Sequence, residues 1–306
     1  MENNRILEEM KVTITGASGF VGINLQEYLK NTYVVDTMSA RYLPNQSFKI
    51  EADALIHLAG KAHDLKNVSV PKDYYDANFE LTKQLFDAFL ISEAIVFVFM
   101  STVKAVADDL ETMLTEDFTP NPKTHYGISK QQAEQYILSK ELPQGKRVYI
   151  LRPCMIHGPG NKGNLNLLYK IAKNKIPWPL GGFNNQRSFL SIENLCFIVK
   201  ELLENKSIIS GVYQIADDEP LSTNELMDLL GNSLDYQNKI WKINPFLIKS
   251  IAKFGDYLKL PLNSERLQKL TANYTVSNKK ILGAIKKPLP ISTRDGLMIT
   301  FRSFKE

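Results

Sequence analysis

The stretch Lys11-Val12-Thr13-Ile14-Thr15-Gly16-Ala17-Ser18-Gly19-Phe20-Val21-Gly22 decides the fold. Its first five residues form a short β-branched run, as expected of a buried parallel strand. From Val21 to Lys30 the spacing predicts a helix with Val21, Leu25, Tyr28 and Leu29 along one side. Gly16, Gly19 and Gly22 fall in the turn between strand and helix. Such a unit suits a dinucleotide. Gly16 allows a tight turn, Gly19 lets the backbone approach a pyrophosphate, and Gly22 lets helix and strand pack closely. The helix N-terminus, at Phe20 and Val21, then faces the phosphates. A glycine triplet by itself also fits a plain turn, and its place after the first strand favours the dinucleotide.

The pattern extends outward from there. Ala54-Leu55-Ile56-His57-Leu58 reads as a strand, and Tyr74 to Leu90 as a helix with Phe79, Leu81, Leu85, Phe86 and Phe89 apolar. Ile95 to Met100 reads as a central strand, Tyr126 to about Lys140 as a helix, and Val148 to Leu151 as a strand ended by Pro153. This alternation predicts an α/β chain with a Rossmann-type, doubly wound parallel sheet, and binding at the carboxyl ends of its strands. After Gly158-Pro159-Gly160 the pattern loosens into short helices and loops, which implies a smaller C-terminal substrate lobe. The expected division is 1–163 for the dinucleotide-binding domain, with 191–218 returning to it, and 164–190 plus 219–306 for the lobe.

Composition narrows the class. An apolar fraction of 44% over 306 residues supports a sizeable core, and a net charge of +4 is small for that length. No block of like charge stands out, which argues against a nucleic-acid partner. Cys154 and Cys196 provide no disulfide framework, so a reducing cytoplasm is the simplest expected location. The start, Met1-Glu2-Asn3-Asn4-Arg5, leads into no apolar signal core. Ala94 to Met100 is too short to span a bilayer, so no membrane partner is expected. Four histidines without metal-ligand spacing give no metal site; His57 and His63 read as structural.

The chemistry is suggested by His125-Tyr126-Gly127-Ile128-Ser129-Lys130. Four residues make one helical turn, so Tyr126 and Lys130 project from one face. A phenol ordinarily titrates near 10, too high for a base at neutral pH. An ammonium one turn away would favour the phenolate and lower that value. Alone, Tyr-x-x-x-Lys is a common accident of an exposed helix. Downstream of a dinucleotide loop it points to proton transfer coupled to hydride transfer.

Taken together, these motifs resemble the extended short-chain dehydrogenase/reductases that act on nucleotide sugars. The resemblance spans nearly the whole chain. It rests on Gly16-x-x-Gly19-x-x-Gly22, Ile56-His57-Leu58-Ala59-Gly60, Tyr75-Asp76-Ala77-Asn78 and Met100-Ser101-Thr102. Tyr126-x-x-x-Lys130, Leu151-Arg152-Pro153 and Arg187-Ser188-Phe189 complete it. It is greatest to bacterial enzymes of surface-polysaccharide synthesis, the UDP-sugar 4-epimerases and 4-keto reductases.

The resemblance implies roles. Tyr126 is expected to exchange a proton with the sugar O4, and Lys130 to tune it and hold the nicotinamide ribose. Thr102 is expected to hydrogen-bond the reacting oxygen, a task suited to a hydroxyl, with Ser101 beside the cofactor. Asn78 is expected at the cofactor. Leu58, Ala59 and Gly60 are expected to let the backbone lie against its nicotinamide half. Asn164, Arg187 and Arg266 are candidates for the nucleotide diphosphate, because guanidinium groups match phosphate oxygens. Trp178-Pro179-Leu180 resembles the extended segment beside the uracil, and equally suits ordinary packing. Homodimerisation is implied through the Tyr74–Leu90 helix and the helix carrying Tyr126, although their apolar faces also suit covering the sheet.

Two departures bear on the cofactor. The region from Arg41 to Asp53 is too short for the strand and helix usual there, so the sheet is expected to lack one strand and the adenine contact is open. Ser39 stands where NAD-preferring members carry Asp or Glu, with Arg41 close behind, which favours NADP. Asp36 competes, lying near the fingerprint spacing from Gly16; if it reaches the ribose, NAD is restored. The cofactor is therefore read as NAD(P), with a slight preference for NADP.

The reaction narrows in the same way. Val103-Lys104 occupies the place where the family's dehydratases carry Asp-Glu, and without those carboxylates dehydration is disfavoured. Two reactions remain open. A 4-epimerase oxidises C4, turns the ketosugar over and returns the hydride. A 4-keto reductase takes a ready-made ketosugar and consumes NAD(P)H. The expected substrate is a UDP-N-acetylhexosamine or its 6-deoxy-4-keto derivative. A non-catalytic dinucleotide sensor is the alternative from another class, although such proteins commonly lose the Tyr or Lys, and both are present here.

Overall fold

The computed structural model describes residues 10–62, 70–161, 163–258 and 263–305, excepting the side chain of Asn164. His63 lies outside the described residues. The strands are β1 (Lys11–Thr15), β2 (Val34–Met38), β3 (Ala54–His57), β4 (Val96–Met100), β5 (Arg147–Pro153), β6 (Met155–His157), β7 (Phe189–Ser191) and β8 (Gly211–Ile215). Six of them form one parallel sheet in the order β2-β1-β3-β4-β5-β8, and β6 pairs with β7 apart from it. All of β3 and β4 is buried, as continuous apolar runs in a sheet covered on both faces require.

Helices form the crossovers that parallel strands need. They are α1 (Phe20–Leu29), α2 (Pro71–Tyr75), α3 (Leu81–Ile91), α4 (His125–Leu138), α5 (Asn164–Lys173) and α6 (Ile192–Glu204). On one face of the sheet Ile14, Ile56, Val98 and Leu151 share a core with Leu25 of α1 and Leu195 of α6. On the other, Leu55, Phe97 and Ile150 share one with Leu85, Phe86 and Phe89 of α3 and Ala133 of α4. The helix expected over Tyr74–Leu90 begins earlier, with Pro71 in its first turn, and a π-helical turn over Asp76–Glu80 separates α2 from α3.

Residues 39–53 add no strand, so β2 is the sheet edge and the expected shorter sheet is observed. The chain leaves β1 toward β2 on one side and enters β3 on the other. That reversal opens a crevice beyond the carboxyl ends of β1 and β3, where open α/β sheets bind ligands.

The C-terminal part carries α7 (Thr223–Ser233), α8 (Pro245–Leu258), α9 (Ser264–Thr271), α10 (Lys279–Ile285) and α11 (Thr293–Ser303). Ser222 and Glu225 close a reciprocal cap on α7. Helices α5, α7, α8 and α11 enclose a separate core of Leu168, Leu226, Leu230, Ile248, Ala252 and Leu297. No helix among the described residues is long and apolar enough to cross a membrane.

Candidate active site

The turn after β1 is a cradle. Gly16 adopts φ +68°, and a Cβ there would fall 2.6 Å from the Ala59 amide nitrogen, so both conformation and space demand glycine. Its carbonyl accepts from the Gly19 amide at 3.0 Å, and Gly22 is buried in α1. No side chain caps α1 at Gly19, which leaves the first-turn amides of Phe20, Val21 and Gly22 for an anion. Opposite, Leu58, Ala59 and Gly60 leave the end of β3, with the Ala59 amide held by the Thr15 hydroxyl at 3.2 Å. A glycine cradle, an uncapped helix start and a small-residue wall fit a dinucleotide.

Cofactor choice turns on the end of β2. Met38 lies in register with Thr15, so the exposed Ser39 and Arg41 follow beside the Gly16 turn. Asp36 sits a pleat earlier, opposite Thr13, and its carboxylate pairs with Lys11 at 2.9 Å. That partner sits at the start of β1, away from the crevice.

A buried chain of hydrogen bonds fixes the crevice wall. His57 lies between the hydroxyls of Thr15, at 2.8 Å, and Thr82, at 2.9 Å. Burial first and the Lys130 charge second hold its pKa well below the ordinary range, so the ring is neutral. Thr82 in turn donates to the carbonyl of Asn78 at 2.7 Å. Asn78 lies in the π-helical turn, and its amide bridges two elements rather than bonding locally. It accepts from the Lys61 amide at 2.7 Å and donates to the Lys61 carbonyl and the Ser129 hydroxyl, both at 3.0 Å. Asn78 therefore ties the loop after β3 to α4.

Helix α4 is seated by its N-terminus. The Thr124 hydroxyl accepts from the Gly127 amide at 3.2 Å, and Asp108 accepts from the Lys123 amide at 2.7 Å. A Cβ on Gly127 would lie 2.4 Å from the Lys104 carbonyl, so glycine lets α4 press against the short 3-10 turn Val103–Ala105. This approach sets Tyr126 beside Thr102, close enough for the Thr102 hydroxyl to act on the phenol. Burial raises the phenol pKa, and the Thr102 hydroxyl works against that rise.

Lys130 lies one turn after Tyr126 on α4, under the end of β4. Its ammonium donates to the Met100 carbonyl at 2.8 Å and lies 4.6 Å from the centre of the Phe99 ring. Burial lowers its pKa to about 8, with Glu134 opposing. Lys130 thus braces the end of β4, while Thr102 acts to lower the Tyr126 pKa.

One turn further along the same face, Glu134 is a site residue that the motif reading passed over. It accepts from the Ser101 hydroxyl and from Arg152, whose Nε lies 3.0 Å from one carboxylate oxygen and whose terminal nitrogen lies 2.5 Å from the other. All three residues are buried. The signal in the sequence was the repeat Tyr126, Lys130, Glu134 at four-residue spacing, with Arg152 already inside a quoted motif.

Cations gather beyond Thr102. Lys104 lies 4.3 Å above the Tyr274 ring. Its pKa is lowered, first by burial, with Asp108 and Asp109 opposing and Arg187 and Lys269 adding to the depression. Arg187 pairs its backbone with Leu221, both bonds at 2.9 Å, and donates its guanidinium to the Lys269 carbonyl on α9. Arg266 is exposed in the first turn of that helix, its amide capped by Asn263 at 2.8 Å. Lys104 was read only for the carboxylate it replaces, and Lys269 stands in no motif; the fold brings both near Arg187.

Trp178 and Leu180 lie elsewhere. Both are buried in the C-terminal core, and the Trp178 ring nitrogen donates to Asn224 at 3.0 Å. Their side chains pack the core of the lobe. The side chain of Asn164, at the start of α5, lies outside the described residues. No group of three or more His, Cys, Asp or Glu among the described residues is arranged to hold a metal.

Residues 12–216 match the model of the NAD dependent epimerase/dehydratase family. The UDP-glucose 4-epimerase of Vibrio cholerae is 28% identical over 322 residues, covering 96% of this chain and 95% of that one. The N-acetyl-alpha-D-glucosaminyl-diphospho-ditrans,octacis-undecaprenol 4-epimerase of Escherichia coli O157:H7 is 30% identical over 246 residues, 73% of this chain and 72% of that one. Among solved structures, the UDP-glucuronic acid 4-epimerase of Bacillus cereus in complex with NAD superimposes with a TM-score of 0.73 at 20% identity. It covers 97% of this chain and 99% of that one. The chain belongs to the NAD dependent epimerase/dehydratase family and is an NAD(P)-dependent enzyme of it.

Proposed function

We propose that this member of the family performs C4 redox chemistry on a UDP-linked N-acetylhexosamine. It acts either as a 4-epimerase or as a reductase of the 6-deoxy-4-keto derivative. The observation that carries this reading is the placement of Tyr126 and Lys130 one turn apart on α4 at the carboxyl end of β4, with Lys130 bonded to the Met100 carbonyl and Thr102 beside the phenol. The 4-epimerase activities of the relatives from V. cholerae and E. coli support the position of attack.

The residues divide the work. Tyr126 moves a proton to or from the sugar O4 through its phenol oxygen. Thr102 orients that phenol and, by hydrogen bonding, favours its anion. Lys130, with a pKa held near 8, remains a cation through neutral pH and offers a donor to a ribose hydroxyl. Gly16, Gly19, Phe20, Val21 and Gly22 hold a pyrophosphate, and Leu58, Ala59, Gly60, Asn78 and Ser101 shape the wall beside the reacting carbon. When bound, NAD(P) supplies the hydride acceptor or donor for C4. Arg187 and Lys104, with Arg266 further out, hold the sugar's diphosphate. Ser39 and Arg41 favour NADP, since Asp36 is engaged by Lys11.

The test is to mix the protein with UDP-4-keto-6-deoxy-N-acetylglucosamine and NADPH or NADH and follow nicotinamide absorbance. Stoichiometric loss identifies a reductase and its cofactor. Absorbance unchanged, with UDP-N-acetylglucosamine converted to its C4 epimer, identifies an epimerase. Cofactor binding with neither reaction would overturn the proposal and leave a dinucleotide sensor.

A further inference from the structure

Helix α8 is amphipathic in an unusual sense. Its buried seam, Ile248, Ala252 and Gly255, faces the C-terminal core. Its opposite face is also apolar. Phe246, Leu247, Ile251, Phe254, Tyr257 and Leu258 are between 49% and 84% exposed. At about 100° per residue these six side chains occupy an arc of about 140°. Just before the helix, Trp241 is 53% exposed. Every exposed large aromatic among the described residues lies on this one feature. A contiguous patch of this kind marks an interaction surface.

The charges beside it point to its partner. Lys249 and Lys253 run along one edge of the apolar arc, and Lys239 and Lys242 precede the helix; all four are exposed. No carboxylate pairs with any of them among the described residues. The one acidic residue between Tyr236 and Leu258 is Asp256, and its oxygens accept from the Ser264 amide and hydroxyl at 2.8 and 2.6 Å. The start of the helix is fixed. Asn244 accepts from the Phe246 amide at 2.9 Å, and Pro245 opens the first turn.

We propose that α8 docks this protein on an anionic membrane surface, with the aromatic and aliphatic face entering the headgroup boundary and the four lysines resting against lipid phosphates. An apolar face with aromatic residues and a lysine edge is the pattern of an interfacial helix. Fourteen residues span about 21 Å, short of the roughly 30 Å hydrocarbon core, so α8 lies on the bilayer. A second copy fits less well, because a two-fold contact through this face would bring eight lysines together with no carboxylate to meet them. The inference is independent of the proposed sugar chemistry.

The test is vesicle flotation of the whole protein with phosphatidylglycerol-containing or pure phosphatidylcholine vesicles, at low and high salt. We expect about tenfold more protein on the anionic vesicles, falling as salt rises. Phe246→Ser/Phe254→Ser and Lys249→Glu/Lys253→Glu should each abolish flotation while nicotinamide-dependent turnover and the unfolding midpoint stay unchanged. No flotation of the native protein, or flotation of either variant equal to that of the native protein, would overturn the proposal. So would a native dimer that these substitutions convert to monomer, since α8 would then be covered by a second copy.

Discussion

The Thr102 side chain acts on the Tyr126 phenol across two elements, the exit of β4 and the first turn of α4. It is the influence identified as lowering the phenol pKa against burial. Thr102→Val should therefore raise that pKa further, reduce the fraction of phenolate at neutral pH and cut kcat by about 100-fold, the lower end of the range for acid–base groups. The rising limb of the pH–rate profile should move to higher pH. A profile that keeps its position would refute the assignment.

Lys130 makes a pH-dependent contribution to stability. Its pKa falls from 10.5 in the unfolded chain to about 8 in the fold. Between those values the unfolded state binds the extra proton, so this group's contribution rises with pH through that window and is constant below it. The gain is on the order of 3 kcal/mol. Denaturant unfolding of wild type and Lys130→Met at pH 7, 8, 9 and 10 should show their difference changing in that direction. A difference independent of pH would contradict the burial of a titrating amine.

Glu134 holds Arg152 and Ser101 together beneath the site. Glu134→Ala leaves a buried guanidinium without its counter-charge and should cost about 3–5 kcal/mol of stability. Replacing both partners, Glu134→Leu with Arg152→Met, should cost less than Glu134→Ala alone. Urea midpoints of the three proteins decide this.

Arg187 and Lys104 should act on substrate and leave the cofactor alone. Arg187→Ala or Lys104→Ala should each raise KM for the nucleotide sugar by about 10-fold or more, the size of a charged hydrogen bond. Nicotinamide affinity by fluorescence titration should be unchanged. Equal loss of both affinities would place these cations at the dinucleotide instead.

Ser39→Asp combined with Arg41→Ala should move preference from NADP to NAD, because a carboxylate accepts from the ribose hydroxyl and repels a 2′-phosphate. The ratio of the two dissociation constants reads this directly. Asp36→Asn should leave the ratio unmoved, since that carboxylate pairs with Lys11.

The sheet was legible because its signals are local. The apolar run at Val96–Met100, the glycine turn at Gly16 and the helix at His125–Leu138 each depend on neighbours in sequence. What escaped depends on pairing across the fold. Asn78 carries no sign in the sequence that a π-helical turn aims its amide at Lys61 and Ser129. Lys104 reads as a loop lysine until the fold brings Arg187 and Lys269 toward it. Trp178 and Leu180 were ambiguous because an apolar Trp-Pro-Leu segment suits a base platform or a lobe core alike, and the core took them. Lys130 was placed on the correct face, but its partner, the Met100 carbonyl, belongs to a strand that helix spacing does not describe.

The central claim is that Tyr126 exchanges the proton at the sugar C4 oxygen, and nuclear magnetic resonance of the sugar C4 position tests it most directly. Wild type and Tyr126→Phe, each shown to bind NAD(P), would be given UDP-N-acetylglucosamine and UDP-4-keto-6-deoxy-N-acetylglucosamine in turn. The account predicts a changed C4 configuration or a reduced C4 ketone with wild type, and a rate lower by about 10²–10⁴-fold with the variant. An equal rate in the two proteins would contradict it.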